Sequence, residues 1–131
     1  MLGPRSAEPR VAWRDDSVEH GEVLVALDHN VVTGFARFGG RAGGAGELAA
    51  LYVAPAHQGG GVGTALWNTV AGRLGDRGCT ALRVWTLARA RARDFYLTRG
   101  MAEVDTGTIT VGDHVEPAVC LQSVLAAPAT R

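Results

Sequence analysis

The stretch Gln58-Gly59-Gly60-Gly61-Val62-Gly63-Thr64 constrains this chain more than any other, because it sets glycines between a β-rich run and a run of helical period. Backbone with so few side chains can turn sharply, and where it opens a helix it presents successive amide N–H groups at the positive end of the helix dipole. That arrangement suits an anionic phosphate group, so the segment is a candidate pyrophosphate cradle.

The surrounding pattern supports a strand, turn and helix at this point. Leu48 to Val53 reads as a strand ended by Pro55, after a glycine-dense loop from Gly39 to Gly46. From Val62 the period changes: Val62, Leu66, Val70 and Leu74 recur at every fourth position, with Ala65 and Thr69 beside them. Gly75 and Gly78 mark the end of that helix. Upstream, Glu22–Asp28 and Val31–Phe38 are β-rich runs joined by His29-Asn30, a two-residue hairpin spacer. Downstream come an alternating strand from Ala81 to Leu87, a short helix from Ala90 to Leu97 stopped at Gly100, and two strands, Ala102–Val111 and Val115–Val124, flanking Gly112-Asp113-His114. This order implies an α/β fold with a mixed sheet. The division expected is a loosely ordered arm over 1–21, one domain over 22–124 and a tail over 125–131.

Composition narrows the class of partner. At 131 residues the chain is long enough for one core, and its 13 acidic and 13 basic residues balance, so no net field draws it to nucleic acid or to a membrane surface. No long apolar run or basic leader is seen, which gives a cytoplasmic expectation. Cys79 and Cys120 offer neither a disulfide framework nor a metal spacing and read as buried thiols. His20, His29, His57 and His114 likewise lack metal-ligand spacing, so no metal is expected. All 13 basic residues are arginine, and with abundant alanine and glycine this points to a GC-rich bacterial genome.

Two familiar phosphate loops are disfavoured by particular residues. The dinucleotide fingerprint needs glycine at its sixth position, where Thr64 or Leu66 stands according to frame. A nucleotide triphosphatase loop needs a lysine, and the chain has none. What remains is Gln-x-x-Gly-x-Gly, Gln58 to Gly63, preceded by Glu47-Leu-Ala-Ala-Leu-Tyr-Val-Ala-Pro55 and followed by Phe95-Tyr96 and Gly100-Met101. In this combination the chain closely resembles the GNAT (GCN5-related N-acetyltransferase) superfamily over about Glu22 to Val124.

The resemblance implies a mixed, mostly antiparallel sheet with splayed central strands and flanking helices, and an acetyl-CoA-dependent N-acetyltransferase working by direct attack in a ternary complex. It assigns the pyrophosphate of acetyl-CoA to Gln58, Gly59, Gly60, Gly61, Val62, Gly63 and Thr64, without a metal ion. It assigns the pantetheine arm to Leu51, Tyr52 and Val53, with an amide near Val53 facing the thioester oxygen. Tyr96 lies where the family places a general acid: a phenol titrating at about 10 can donate to a thiolate leaving group whose thiol titrates at about 8.5. Glu47 is either a solvated strand residue or, as in the histone-acetyltransferase branch, the general base that deprotonates the amine acceptor.

Two departures from the family stand out. Arg89 occupies the position, seven residues before Tyr96, where many members carry an asparagine that binds the pantetheine arm. Arg89, Arg91 and Arg93 could meet a CoA phosphate, but Arg89 and Arg93 share a helix face while Arg91 points elsewhere, so they read as a solvated charged face. The residues before Glu22 are also too few for the usual opening strand and two helices, so the expected fold lacks most of that wall of the acceptor cleft. A shortened gene reading, a natural minimal form, or a homodimer whose partner completes the cleft would each account for it. The acceptor, a small-molecule or peptide amine, is not specified by these residues. The alternatives are a non-catalytic acyl-CoA-binding regulatory module of the same fold, or a nucleic-acid-binding domain, which lacks a basic face and an aromatic platform. Trp13, Trp67 and Trp85 are scattered, and Trp85 reads as core.

Overall fold

The computed structural model describes residues 10–14 and 21–125, and these divide into two compact units. The described residues up to Gly39 together with Leu48–Arg73 form the first, and Gly40–Glu47 with the residues from Leu74 onward form the second. The elements in chain order are β1 (Arg10–Arg14), β2 (Glu22–Asp28), β3 (Val31–Gly39), β4 (Ala45–Val53), a single 3-10 turn (Pro55–His57), α1 (Val62–Asp76), β5 (Ala81–Leu87), α2 (Arg91–Thr98), β6 (Ala102–Val111) and β7 (His114–Val124). The class is mixed α/β with a mostly antiparallel sheet, as expected.

In the first unit β1, β2, β3 and β4 neighbour one another in chain order. The β2–β3 hairpin closes through His29 and Asn30, both with positive φ (51° and 69°), the backbone twist that a two-residue hairpin turn demands. Its register pairs Leu24 with Ala36 and Ala26 with Gly34. Leu24, Ala26, Ala36 and Phe38 on these strands are buried, as are Leu48 on β4 and Val62, Leu66 and Val70 on α1. Each large apolar side chain so removed from water contributes about 1.5–3 kcal/mol. The fourfold apolar period read in the sequence is thus the buried stripe of α1. The little structure expected before residue 21 needs correcting at Arg10–Arg14: β1 pairs antiparallel with β2, from Arg10 opposite Leu27 to Arg14 opposite Val23. Residues 1–9, 15–20 and 126–131, which cover the rest of the arm and most of the tail, lie outside the described residues.

In the second unit the order is β5, β7, β6, all antiparallel neighbours. Leu82, Val84 and Thr86 alternate inward along β5, with Val119 and Leu121 of β7 in register opposite Thr86 and Val84. Both helices end through a left-handed glycine. Gly78 (φ 90°) donates to the Gly75 carbonyl at 2.9 Å while the Cys79 amide reaches back to Leu74 at 3.0 Å. Gly100 (φ 89°) donates to Leu97 at 3.0 Å, with Met101 reaching Tyr96 at 3.3 Å. Cys79 and Cys120 are buried and free, and the Cys79 thiol donates to the Arg41 carbonyl at 3.3 Å. Among the described residues no helix is long and apolar enough to cross a membrane.

Two readings at the level of single residues change. The strand expected from Leu48 begins at Ala45 and takes in Gly46, so Glu47 is the third residue of β4. Gly46 is required there: a Cβ would stand 2.5 Å from Leu74 Cδ1. Trp85 is 39 % exposed rather than core. It shares a face of β5 with Arg83, and its ring lies over Gly107, where a Cβ would meet Cζ3 at 3.1 Å.

Candidate functional site

The turn from Gln58 to Gly61 is built by two left-handed glycines, Gly59 (φ 84°) and Gly61 (φ 90°), at positions where an L-residue would be strained. Nothing lies within 4 Å of a Cβ built at either, so the turn needs glycine for its conformation and not for lack of room. The Gln58 and Gly60 amides are partly engaged, donating to the Pro55 and His57 carbonyls at 3.4 Å, long for a hydrogen bond. Among the described residues no backbone carbonyl accepts from the amides of Gly59, Gly61, Val62 or Gly63, whereas Ala65 already donates to Gly61 at 2.9 Å. Gly59, Gly60 and Gly61 are exposed. No acidic side chain occupies the first turn of α1, so that turn brings no negative charge of its own to the dipole's positive end. Donors at Gly59, Gly61, Val62 and Gly63 without a backbone acceptor, the positive end of the helix dipole and open space at the Gly59 and Gly61 Cβ positions suit an anionic group.

The cradle is tied to the end of β4 by its own side chain and by β3. Gln58 Nε2 donates to the Val53 carbonyl at 3.2 Å. The Ala54 amide donates to the Thr33 carbonyl at 2.8 Å, and the buried Thr33 hydroxyl donates in turn to Ala26 at 3.3 Å. Leu51 and Val53 are half-buried. Tyr52 is 49 % exposed, its ring 5.6 Å from that of Phe35. The structure therefore gathers Leu51, Tyr52, Val53 and Gln58 to Thr64 in one unit.

Tyr96 and Glu47 belong to the second unit. Tyr96 is the buried residue of α2, packed edge-on to Phe95 with ring centroids 5.3 Å apart. Burial pushes its phenol up to about 12, so the proton is held throughout the neutral range. Glu47 is exposed. The buried Cys120 thiol is raised chiefly by burial, with Arg83 opposing and Asp105 and Glu47 adding to the rise, which leaves it an inert thiol at neutral pH. Arg89 precedes α2, and its Nε donates to Glu116 Oε1 at 3.2 Å, the contact that raises its pKa most. Arg93 bonds the Ala88 carbonyl at 3.1 Å and lies 3.6 Å from Glu103. Arg89 is thus exposed while paired with Glu116, and Arg93 is half-buried.

Sequence reasoning missed Gly34. A Cβ at this β3 position would stand 2.6 Å from the Tyr52 carbonyl oxygen, 3.0 Å from Val62 Cγ1 and 3.3 Å from Leu66 Cδ1. A glycine inside a strand is itself the signal of close backbone approach.

The model of the acetyltransferase (GNAT) family matches residues 2–101. The chain belongs to the GNAT acetyltransferase family. Solved structures agree in fold. A GCN5-related N-acetyltransferase from Rhodopseudomonas palustris, also described as a class-II aminotransferase, superposes with TM-score 0.69 at 27 % identity, covering 79 % of this chain and 61 % of that one. This GNAT chain thus spans less than two thirds of that neighbour. The ribosomal-protein-S18-alanine N-acetyltransferase of Escherichia coli gives TM-score 0.74 at 21 % identity, over 86 % of this chain and 74 % of that one. A GNAT family acetyltransferase of Elizabethkingia anophelis with acetyl-CoA bound gives 0.71 at 14 %, over 90 % and 99 %. A search of curated protein sequences gave no significant match.

Proposed function

We propose that this GNAT-family chain is an N-acetyltransferase that takes acetyl-CoA as donor and a small-molecule or peptide amine as acceptor. The observation that carries the reading is the turn itself: amides of Gly59, Gly61, Val62 and Gly63 that no backbone carbonyl among the described residues accepts from, at the start of α1, with open space where Cβ atoms at Gly59 and Gly61 would stand. A donor set made of neutral backbone N–H groups fits a diphosphate and needs no metal to offset its charge. The backbone of Leu51, Tyr52 and Val53 is the element that would align the pantetheine arm, and the E. anophelis neighbour of the same fold is a complex with acetyl-CoA.

Acetyl-CoA supplies an acyl group already activated as a thioester. The chain's contribution is orientation by the amides, so that attack on the bound thioester becomes effectively unimolecular. Tyr96 holds the proton that the departing sulfur requires, because its buried phenol stays un-ionised. Glu47, exposed on β4, is the proposed acceptor of the amine proton. Calorimetry with acetyl-CoA, followed by a thiol-release screen against amines and peptide N-termini, tests the reading. Binding with release for at least one acceptor class is expected, and absence of binding would end it.

One observation favours a second reading, a regulatory module that binds acyl-CoA without turnover. Arg89 stands where many relatives bind the arm through asparagine, and Glu116 already engages it. That reading expects binding without thiol release for every amine tried.

A further inference from the structure

The cradle and the arm-binding strand share one seat. Gly34 is the point where β3 lets the Tyr52 carbonyl of β4 approach within 2.6 Å of the place a Cβ would take, and where Val62 and Leu66 of α1 descend to 3.0 and 3.3 Å. Backbone and helix therefore rest on the same absent side chain. A second tie acts from the other end, since Gln58 Nε2 holds the Val53 carbonyl at 3.2 Å and so joins the first residue of the turn to the last residue of β4. Between the two, Ala54 is pinned to Thr33 at 2.8 Å. The Gln58 side chain is thus tied to the protein's own backbone.

We infer that Gly34 and Gln58 are positioning residues which fix the phosphate-binding turn and the β4 backbone at one separation, so that the two together act as a spacer matched to the diphosphate and arm of the cofactor. This rests on the acetyl-CoA reading above. Neither residue needs to touch the ligand. Gly34 sets the depth of both elements, and Gln58 sets their register.

The milder variant, Gln58→Met, keeps the side chain's reach and removes only its donor. Its expected effect is a loss of about tenfold in acetyl-CoA affinity, the size of one net hydrogen bond. Gln58→Arg, which keeps a donor, should stay within about threefold of the parent, a fraction of that bond. A direct ligand contact would give the same affinities, so the deciding readout is taken without ligand. In the apo protein Gln58→Met should lower the hydrogen-exchange protection of the Ala54 amide while the melting temperature falls by no more than a few degrees. Unaltered Ala54 protection, or undiminished affinity, would overturn the strut.

Gly34→Ala should cost about a hundredfold in affinity, the scale of a displacement near 1 Å in a positioned group. Gly72→Ala, at a helix position with nothing within 4 Å of the new methyl, is the control that should bind normally. If Gly34→Ala folds and binds as the parent does, the seat is refuted; if it fails to fold, Gln58→Met alone decides. Failure of the parent protein to bind acetyl-CoA is a different result and would refute the function instead.

Discussion

On the proposed reading, the turn at Gln58–Gly63 and the helix that carries Tyr96 would supply chemistry by opposite means. In the turn the working groups are peptide N–H donors, and the chain keeps side chains away: left-handed glycines at 59 and 61, open space where their Cβ atoms would be, and no carboxylate in the first turn of α1. In α2 the working group is a side chain, and the chain surrounds it: Tyr96 is 5 % exposed, edge-on to Phe95, its phenol raised to about 12 by burial. The first region therefore tolerates no added atoms on its open side. The second, if Tyr96 is the general acid proposed, would tolerate loss of the hydroxyl as packing but not as chemistry.

The largest effect follows from filling the turn. Gly61→Val places a β-branched side chain at φ 90°, at a strain of about 1–3 kcal/mol, and projects it into the space assigned to the diphosphate. Calorimetric affinity for acetyl-CoA should fall at least about a hundredfold, since a displacement near 1 Å already costs that much. Retained affinity would mean that the two regions do not differ as described. Next comes Tyr96→Phe, expected to lower turnover about 10²-fold while acetyl-CoA affinity and melting temperature change little. Equal turnover would remove Tyr96 from the chemistry.

The same variant sharpens the comparison through pH. Because the folded phenol is raised from about 10 to about 12, the unfolded chain loses that proton first as pH rises. The stabilisation is whole below about pH 10 and is lost on the way to about 12. Ultraviolet difference titration of the parent against Tyr96→Phe should show a phenolate appearing near the upper value. A midpoint near 10 would mean that the ring is not buried.

A smaller, purely structural effect is expected outside both regions. Gly46→Ala drives a methyl to 2.5 Å from Leu74 Cδ1, an overpacking cost of about 1–3 kcal/mol, read as a lower denaturation midpoint. Smallest of all is Arg89→Ala. The Arg89–Glu116 pair is exposed on the arginine side, so thermal stability should be unmoved, and acetyl-CoA affinity should be unmoved too if Arg89 has no hand in holding the arm.

The contrast also explains what could be read from the chain alone. The conformation of the turn was legible because it lies in missing side chains, which a sequence displays directly, and because the Val62, Leu66, Val70, Leu74 period fixes where the helix begins. The His29-Asn30 hairpin and the glycines ending both helices were legible for the same local reason. For Tyr96 the residues alone indicate packing, which the structure shows; the proposed acid role rests on resemblance. β1 escaped because its strand character comes from backbone pairing with β2 and not from a period of its own. The start of β4 was misplaced because Gly46 looks like loop until Leu74 is seen against it. Trp85 was misjudged despite available signal: Leu82, Val84 and Thr86 alternate inward, which puts Trp85 outside with Arg83. Gly34 lay in an apolar run, and only the approach of Tyr52, Val62 and Leu66 gives it meaning.

Amide chemical-shift mapping during titration with acetyl-CoA bears on the turn without need of an acceptor. The largest shifts should fall on Gly59, Gly61, Val62 and Gly63, saturating together with calorimetric binding. Saturable binding that leaves those four resonances in place would show that the diphosphate is held elsewhere.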